Sequence, residues 1–300
     1  MYLMLLKKIR RVLSFRRVFL VFLCGLYFIN SAGANVVFDL GGVLIDTKYT
    51  AIFRHTGFYR FIRYLLVARK SPQELLFRVL NEIKVPYELS DVEKEACDNA
   101  GHPLPKGLIY LLKGTISGRD IISLTDDLLQ DNPNYSAFEK EFMSSMIRTV
   151  FDPALFSQIR MIYDEGIEFV IDCITQGHKV YILSNFDRDS WNELQLMLPE
   201  FFACFNGAVI SGEVGRIKPD PAIFSFLLKN YDLDPGETVF IDDQKENLLT
   251  AQKFGIHPIR CKKTGWFLNK VPDFEAVRAE FESWQKDMAT NQEMNDTVLS

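Results

Sequence analysis

Four polar segments lie far apart in this chain of 300 residues, and each ends or follows a short apolar run. Together they hold carboxylates, a hydroxyl group and an ammonium group, which are the parts needed to bind a divalent metal and transfer a phosphoryl group. Each segment alone is typical of a turn or cap, but the combination in this order predicts a phosphoryl-transfer site. The residues are Asp39, Ser184 with Asn185, Lys218, and Asp242 with Asp243.

The carboxylates divide into a nucleophile and a metal-binding set. Asp39 can attack phosphorus and bind the metal at once, which splits hydrolysis into two easier displacements through an aspartyl-phosphate. Asp243 supplies a second carboxylate, Asp242 can hold that ligand in place, and the carbonyl of Gly41 can supply a third oxygen. These ligands leave positions for phosphate and water, as Mg²⁺ prefers, so Mg²⁺ is the predicted cofactor.

The remaining polar residues suit the phosphate group. The Ser184 hydroxyl and the backbone N–H of Asn185 can bind its equatorial oxygens, while Lys218 can offset the charge that phosphate and carboxylate share. We therefore predict catalytic roles for Asp39 and Lys218, with Ser184, Asn185 and Lys218 binding the phosphate.

The apolar runs that carry these residues alternate with helical patterns along the chain. This alternation predicts an α/β core, in which the carboxyl ends of parallel strands meet at one edge of the sheet. Five runs are expected to form the strands: Val36–Phe38, Val180–Leu183, Ala208–Ile210, Val239–Ile241 and His257–Arg260.

About 140 residues of helical character separate the first two strand runs. A block of this size predicts an inserted all-helical cap at residues 47–155, between core segments 35–46 and 156–288. Its aromatic residues, such as Phe53, Phe58, Tyr59, Phe61 and Tyr64, are expected to pack mainly in the cap interior. The polar residues 289–300 are expected to form a disordered tail.

The first 34 residues form a separate segment. Six basic residues precede the twelve-residue stretch Val18–Ile29, and small residues follow up to Ala34. This order is typical of a signal peptide and predicts export, periplasmic or secreted, with cleavage after Ala34. The stretch is shorter than the roughly 20 residues that span a bilayer. An uncleaved membrane anchor is the alternative, and it is the only membrane contact that we expect.

Charge argues against nucleic acid as a partner. The formal net charge of −5 becomes −11 without the six basic residues of the leader. No basic run occurs elsewhere, so a polyphosphate backbone would be repelled. A small phosphorylated metabolite is the expected partner.

The histidines lack metal-ligand spacing, and His178 is interpreted as an ordinary surface residue. The remaining cysteines are expected to be buried thiols, with one disulfide as the alternative in an exported protein: Cys97, Cys173, Cys204 and Cys261.

These motifs resemble those of the haloacid dehalogenase-like (HAD) hydrolase superfamily, in the branch with a helical cap between motifs one and two. The resemblance implies a Rossmann-like core, Mg²⁺ dependence and phosphomonoester hydrolysis with Asp39 as nucleophile. It also implies that Asp243 is the direct metal ligand, with Asp242 and Asn247 near it. It extends from Val36 to about Cys261 and rests on four segments: Phe38–Asp46, Leu183–Asn185, Gly215–Pro221 and Phe240–Asp243.

The chain departs from this family pattern at Gly41, where most of the family's phosphatases carry a second aspartate that protonates the leaving group and later activates water. The Gly41 carbonyl can still bind metal, but general acid catalysis worth about 10²–10⁴-fold has to come from the cap, from the substrate or from nowhere. We therefore expect a preference for good leaving groups, such as anomeric sugar, acyl or aryl phosphates, and a sugar phosphate is one candidate substrate. Asp46 is better explained as a structural turn at the start of the cap linker than as a replacement acid.

Two other functions remain open. A non-catalytic phosphate or metabolite binder on the same fold would tolerate Gly41, but it has no need of the nucleophile Asp39. A metal-free 2-haloacid dehalogenase fits less well, because that branch resembles Asp-x-Tyr-Gly in its first motif and lacks paired aspartates like Asp242 and Asp243. Metal-dependent turnover and halide release would separate the three.

Overall fold

The computed structural model describes residues 33–68, 71–98, 101–265 and 270–299. Five parallel strands form the main sheet, in the order β5-β4-β1-β6-β7, and they lie at the five predicted runs. The α/β prediction with a Rossmann-like parallel sheet is therefore confirmed. The strands are β1 (Asn35–Phe38), β2 (Ile45–Thr47), β3 (Arg160–Ile162), β4 (Lys179–Ser184), β5 (Gly207–Ile210), β6 (Thr238–Asp242), β7 (His257–Arg260), β8 (Lys263–Thr264) and β9 (Val271–Pro272).

Strand β1 is the centre of the sheet. All four of its residues are buried, and it pairs with β4 on one side and β6 on the other. Val36 and Phe38 face one hydrophobic cluster, whereas Val37 faces the other. A run that is apolar on both faces is what a central parallel strand needs, because helices cover both sides of such a sheet.

Fifteen α-helices are present in the described residues, together with one short 3-10 helix at Pro235–Glu237. Helices α9 and α15 pack on one face of the sheet, while α13 and α14 pack on the other. The helices are α1 (Tyr49–Thr56), α2 (Phe58–Ala68), α3 (Pro72–Glu82), α4 (Asp91–Lys94), α5 (Lys106–Leu112), α6 (Gly118–Gln130), α7 (Ala137–Phe151), α8 (Pro153–Ile159), α9 (Asp164–Thr175), α10 (Arg188–Met197), α11 (Pro199–Phe202), α12 (Ser211–Val214), α13 (Pro221–Tyr231), α14 (Lys245–Lys253) and α15 (Phe274–Leu299).

The inserted block is helical, as predicted, and holds α1–α8. Its own hydrophobic cluster includes Tyr64, Ile121 and Phe142, and the Tyr64 and Phe142 rings stack with centroids 4.2 Å apart. Strands β2 and β3 pair antiparallel where the chain leaves the core and returns to it. The predicted limits of the cap, residues 47 and 155, lie near these two strands, and they remain a prediction.

The two ends of the chain relate differently to the predictions. Helix α15 continues to Leu299, whereas polarity predicted a disordered tail from residue 289. The helix formers Ala289, Gln292 and Glu293 favour this continuation, and polarity alone did not reveal it. At the other end, residues 1–32 of the predicted leader lie outside the described residues. No helix in the described part of the chain is long and apolar enough to cross a membrane.

Residues just before β1 are built into the core. Ala34 is buried. Its backbone carbonyl accepts a hydrogen bond from the Lys179 N–H (3.1 Å), and its backbone N–H donates to His178 Nδ1 (3.1 Å). His178 also contacts Gln285 and the Phe281 ring. The surface interpretation of His178 was therefore wrong, because this half-buried ring joins the start of β1 to helix α15. The four cysteines in the described residues are free thiols, of which Cys173 and Cys261 are buried.

Candidate active site

The register of the sheet brings the predicted residues to one edge. Phe38 of β1 lies level with Ile182 of β4 and Ile241 of β6. Asp39 therefore follows β1 at the height where β4 and β6 end, and its N–H donates to the Ile241 carbonyl (2.9 Å). Ser184 and Asp242 are the last residues of their strands, so the three polar residues emerge side by side.

A buried ammonium group links two of the carboxylates. Lys218 Nζ lies 2.9 Å from Asp39 Oδ1 and 2.6 Å from Asp242 Oδ2, and all three residues are buried. Burial acts to lower the pKa of Lys218, but the Asp242 and Asp39 carboxylates outweigh burial and raise it. Lys218 therefore stays protonated and holds one oxygen of the Asp39 carboxylate in place.

Lys218 lies in the loop between α12 and α13, and the Asn185 side chain fixes its backbone. Asn185 Oδ1 accepts from the Lys218 N–H (2.7 Å), and Asn185 Nδ2 donates to the Lys218 carbonyl (2.8 Å). Asp220 then caps α13 by accepting from the Ala222 N–H (2.8 Å). Sequence reasoning assigned Asn185 to the phosphate through its backbone N–H and missed this amide clamp.

The Asp242 carboxylate is fully occupied by neighbours of its own chain. Besides Lys218 Nζ, it accepts from the Gln244 N–H (2.7 Å) and from Asn247 Nδ2 (3.0 and 3.2 Å). Asp243, by contrast, presents its carboxylate toward the turn after β1, where Gly42 lies against its Oδ2. The predicted division between a supporting Asp242 and a metal-binding Asp243 is consistent with this arrangement.

Two glycines shape the turn after Asp39. Leu40 O accepts from the Leu44 and Ile45 N–H groups, and the Gly42 N–H donates to Ile45 O, so the Gly41 carbonyl takes part in none of these bonds. Gly42 has φ +81, and a Cβ there would lie 2.1 Å from Asp243 Oδ2. At Gly41, a Cβ would meet nothing within 4 Å. Only the second glycine is therefore required by space and backbone conformation.

Three carboxylates lie close together in the site. Carboxylate oxygens of Asp39, Asp242 and Asp243 lie within 4.8 Å of one another, and the Lys218 ammonium contacts Asp39 and Asp242. Burial, with repulsion from Asp39 and Asp242, raises the pKa of Asp243 to about 7. Burial also raises the pKa of Asp39; Lys218 opposes that shift, Asp242 adds to it, and the Ser184 hydroxyl opposes it.

These residues fit a divalent cation. Three neighbouring carboxylates, which are hard oxygen donors, match the charge and ligand preference of Mg²⁺. Asn247 Oδ1 is a further oxygen that is buried without a hydrogen-bond partner among the described residues. Asp39, Asp243 and the Gly41 carbonyl are the groups that would hold the ion, with Asp242 and Asn247 behind them.

Asp46 is held in a second, separate network. Its carboxylate lies 2.6 Å from Lys263 Nζ, accepts from the Tyr163 hydroxyl (2.9 Å) and accepts from the Thr47 N–H (2.6 Å). Burial acts to raise the pKa of Asp46, but Lys263 and the two hydrogen bonds outweigh it and lower the pKa. An ionised Asp46 has no proton to donate at neutral pH, which supports its structural interpretation.

A cavity of about 820 Å³ extends from the candidate site into the cap. Asp39, Gly41, Asn185, Lys218 and Asn247 line its core end. Residues of α1, α2, α3, α5 and α7 line its cap end, and they include Phe53 and Phe61 but neither Phe58 nor Tyr59, which are exposed. Arg160 of β3 and Lys263 also line this cavity, and sequence reasoning had named neither, because no local pattern marked them.

Comparison with known proteins gives the same family as the motifs. A model of the haloacid dehalogenase-like hydrolases matches residues 34–255, which is more than half of the chain. Bifunctional epoxide hydrolase 2 of Rattus norvegicus is 34% identical over 240 residues, covering 78% of this chain and 37% of that protein.

Two phosphatases match shorter segments. A sesquiterpene phosphatase of Aspergillus oryzae is 35% identical over 81 residues, covering 27% of this chain and 41% of its own. A D-ribitol-5-phosphate phosphatase of Bacteroides thetaiotaomicron is 30% identical over 92 residues, covering 27% of this chain and 42% of its own. Each of these three matches spans less than half of the relative's length. The family model, the motifs and the sheet agree, and the chain belongs to the haloacid dehalogenase-like hydrolases.

Proposed function

We propose that this protein is a Mg²⁺-dependent phosphatase that hydrolyses a small phosphomonoester through an aspartyl-phosphate on Asp39. The observation that carries the proposal is the buried group of three carboxylates, Asp39, Asp242 and Asp243, with the Lys218 ammonium in contact with two of them at the carboxyl edge of the sheet. This charge pattern suits a divalent cation together with a phosphate group, and it gives Asp39 both a metal and a phosphoryl partner.

The first step is displacement at phosphorus by Asp39. Its carboxylate oxygen forms a bond to phosphorus while the bond from phosphorus to the ester oxygen breaks, and that oxygen leaves with the electron pair and becomes an alcohol by taking a proton from solvent. Lys218 and the Ser184 hydroxyl balance charge on the phosphoryl oxygens. Mg²⁺, when bound, would neutralise further charge and align the phosphate with Asp39.

Water then cleaves the aspartyl-phosphate and releases inorganic phosphate. Gly41 offers neither an acid for the first step nor a base for the second, and Asp46 is held ionised by Lys263. The proton for the leaving group therefore comes from solvent in the cavity. Substrates whose leaving groups need little protonation are favoured, and we expect the second step to be slow.

The relatives support phosphate chemistry but leave the leaving group undecided. One is named a sesquiterpene phosphatase and another a ribitol-5-phosphate phosphatase, so an apolar and a polar leaving group both occur among them. The alternatives are weaker on the geometry. A pure binder gains nothing from placing Asp39 against Lys218, and the paired Asp242 and Asp243 set the chain apart from metal-free dehalogenases.

The test is phosphate release by the full-length chain with Mg²⁺ and with EDTA, over acyl, aryl, anomeric sugar and alkyl phosphates. Asp39→Asn provides the blank, because it keeps the side-chain shape and removes the nucleophile. We expect release that requires Mg²⁺ and Asp39 and is faster for acyl and aryl phosphates than for alkyl ones. A folded protein that binds phosphate but releases none from any substrate would favour the binding module, and halide release from 2-haloacids would identify a dehalogenase.

A further inference from the structure

The cap end of the cavity has an apolar wall. Five cap helices contribute large apolar side chains to it, among them Ile52, Phe53, Phe61, Leu76, Leu108 and Met146. All but Met146 are only half-buried although they belong to an interior surface, because they face open cavity. Large apolar side chains that converge on a cavity in this way are typical of a site for an apolar ligand group.

The cavity is continuous with the candidate site. Asp39 and Lys218 line the same space as Leu76 and Met146. Its volume of about 820 Å³ lies in the usual range for small-molecule sites, which is about 300–1,000 Å³. A phosphoryl group held at Asp39 would occupy only the core end, so the leaving group has to fill the part beside the cap.

Several polar side chains of the wall are engaged with one another. Asp46 is bonded to Lys263 and Tyr163, and Arg160 donates to the Thr47 hydroxyl. On the cap, Gln73 and His102 both contact the Asp98 carboxylate, at 3.3 and 3.2 Å. A polyhydroxylated leaving group would need polar partners along its length, whereas an apolar one needs only the phosphate end anchored.

We propose that the substrate is an amphiphilic phosphomonoester, with its phosphate at Asp39 and an extended apolar leaving group, aliphatic or aromatic, against the cap wall. This inference rests on the proposed phosphatase function and names its substrate class. It decides against the sugar phosphate that the sequence had suggested as a candidate. It also gives the half-buried residues of α1, α3 and α5 a binding role instead of a purely structural one.

The test compares esters of primary alcohols, so that the chemistry of the leaving oxygen is constant and only the group attached to it varies. Primary n-alkyl phosphates from butyl to decyl are compared with ribitol 5-phosphate and glucose 6-phosphate, which are also esters of primary alcohols. We expect kcat/KM to rise about fourfold per methylene until the cavity is full, which corresponds to ~0.8 kcal/mol for each buried methylene. A flat series, or a sugar phosphate that outperforms octyl phosphate, would overturn the inference.

A pair of variants tests whether the apolar wall causes the dependence of kcat/KM on alkyl chain length. Leu108→Asn puts a polar amide into the cavity, and Leu196→Asn makes the same change on α10 at a residue that is 73% exposed and outside the cavity. We expect Leu108→Asn to lower kcat/KM for octyl phosphate at least tenfold while changing acetyl phosphate turnover little, and Leu196→Asn to change neither. Equal loss on both substrates in Leu108→Asn would contradict a wall that binds the leaving group.

Two readouts distinguish this inference from the proposed function. Acetyl phosphate has no chain to bind, so its Asp39-dependent turnover tests the phosphatase alone. Binding of non-hydrolysable n-alkyl phosphonates, measured by calorimetry on the unmodified full chain, tests the wall alone. If acetyl phosphate is hydrolysed but phosphonate affinity does not rise with the length of the alkyl chain, the apolar binding site is refuted and the proposed phosphatase activity is supported. If affinity rises but no phosphate ester is hydrolysed, the apolar binding site is supported and the phosphatase activity is refuted.

Discussion

Gly41 and Gly42 are adjacent but differ in how much room each has for a side chain. Gly42 has a positive φ and would place a Cβ 2.1 Å from Asp243 Oδ2, while Gly41 has open space around it. Gly42→Ala should cost about 1–2 kcal/mol in backbone strain and displace Asp243, lowering kcat/KM by about 10²-fold or more. Gly41→Ala keeps the carbonyl and should stay within about tenfold of the unmodified chain. Steady-state kinetics with thermal unfolding measure both, and equal effects at the two positions would contradict the geometry.

Gly41 also offers room for the acid that the chain lacks. Apart from the residue itself and its chain neighbours, no heavy atom of the described residues lies within 4 Å of a Cβ at position 41, and the position lines the cavity. Gly41→Asp should raise kcat/KM, which reports the first step, at least tenfold for alkyl phosphates, within the 10²–10⁴-fold reach of general acid catalysis, and should raise it less for aryl phosphates. Gly41→Asn is the matched control, because it has similar size and no acid function. An equal gain in both variants would show that protonation is not what limits the reaction.

Lys218 should be a stability residue as well as a catalytic one. Its removal leaves the buried carboxylates of Asp39 and Asp242 without their cation, which typically costs about 3–5 kcal/mol. We expect Lys218→Met to lower the unfolding temperature strongly and Mg²⁺ to restore more stability in this variant than in the unmodified chain. Lys229 is exposed, so Lys229→Met serves as the control, and its free energy of unfolding should lie within about 0.5 kcal/mol of that of the unmodified chain. A Lys218→Met protein of unchanged stability would argue against the buried ion pairs.

At the scale of elements, the start of β1 depends on the two residues before it. A Cβ at Gly33 would lie 2.1 Å from the Gly177 carbonyl oxygen, and Ala34 hydrogen-bonds to Lys179 and His178. A chain that begins at Asn35 should therefore be about 1–3 kcal/mol less stable than one that begins at Gly33. Urea unfolding of the two chains measures the difference, and equal midpoints would show that these contacts contribute nothing.

The same contacts bear on the proposed export. Cleavage after Ala34 would produce the chain that begins at Asn35, so the predicted cut separates β1 from partners that support it. N-terminal sequencing of the exported protein identifies the first residue. Asn35 would support the cut that the leader predicts, whereas any other first residue would refute it.

Elements with strong local signals could be predicted, and those set by tertiary context could not. Strand β1 is apolar on both faces and is followed by Asp39, so its central position and the polar residue after it both follow from the sequence. The break between helices α1 and α2 at Gly57, which has φ +95, was not predicted within the block of helical character. The extension of α15 to Leu299 was likewise hidden, because polarity suggested disorder where helix propensity favours a helix.

At the scale of the whole molecule, the predicted site residues meet because parallel strands share one carboxyl edge. That rule brings Asp39, Ser184 and Asp242 together without any knowledge of side-chain positions. Pairings such as Asp46 with Lys263, 217 residues apart, have no local signature. The apolar cavity was equally invisible, since a half-buried Leu108 and a fully buried Ile109 look alike in sequence. Chemistry was therefore more predictable than substrate class.

The most direct measurement is a search for the phosphoryl group on Asp39 itself. Without a base at position 41 to activate water, the aspartyl-phosphate should form quickly from acetyl phosphate and break down slowly, so it should accumulate. Rapid acid quenching with peptide mass spectrometry should find one added phosphoryl group on Asp39 in the presence of Mg²⁺, and none with EDTA or in Asp39→Asn. Phosphate release that continues in Asp39→Asn, or turnover without any phosphorylated Asp39, would contradict the proposed mechanism.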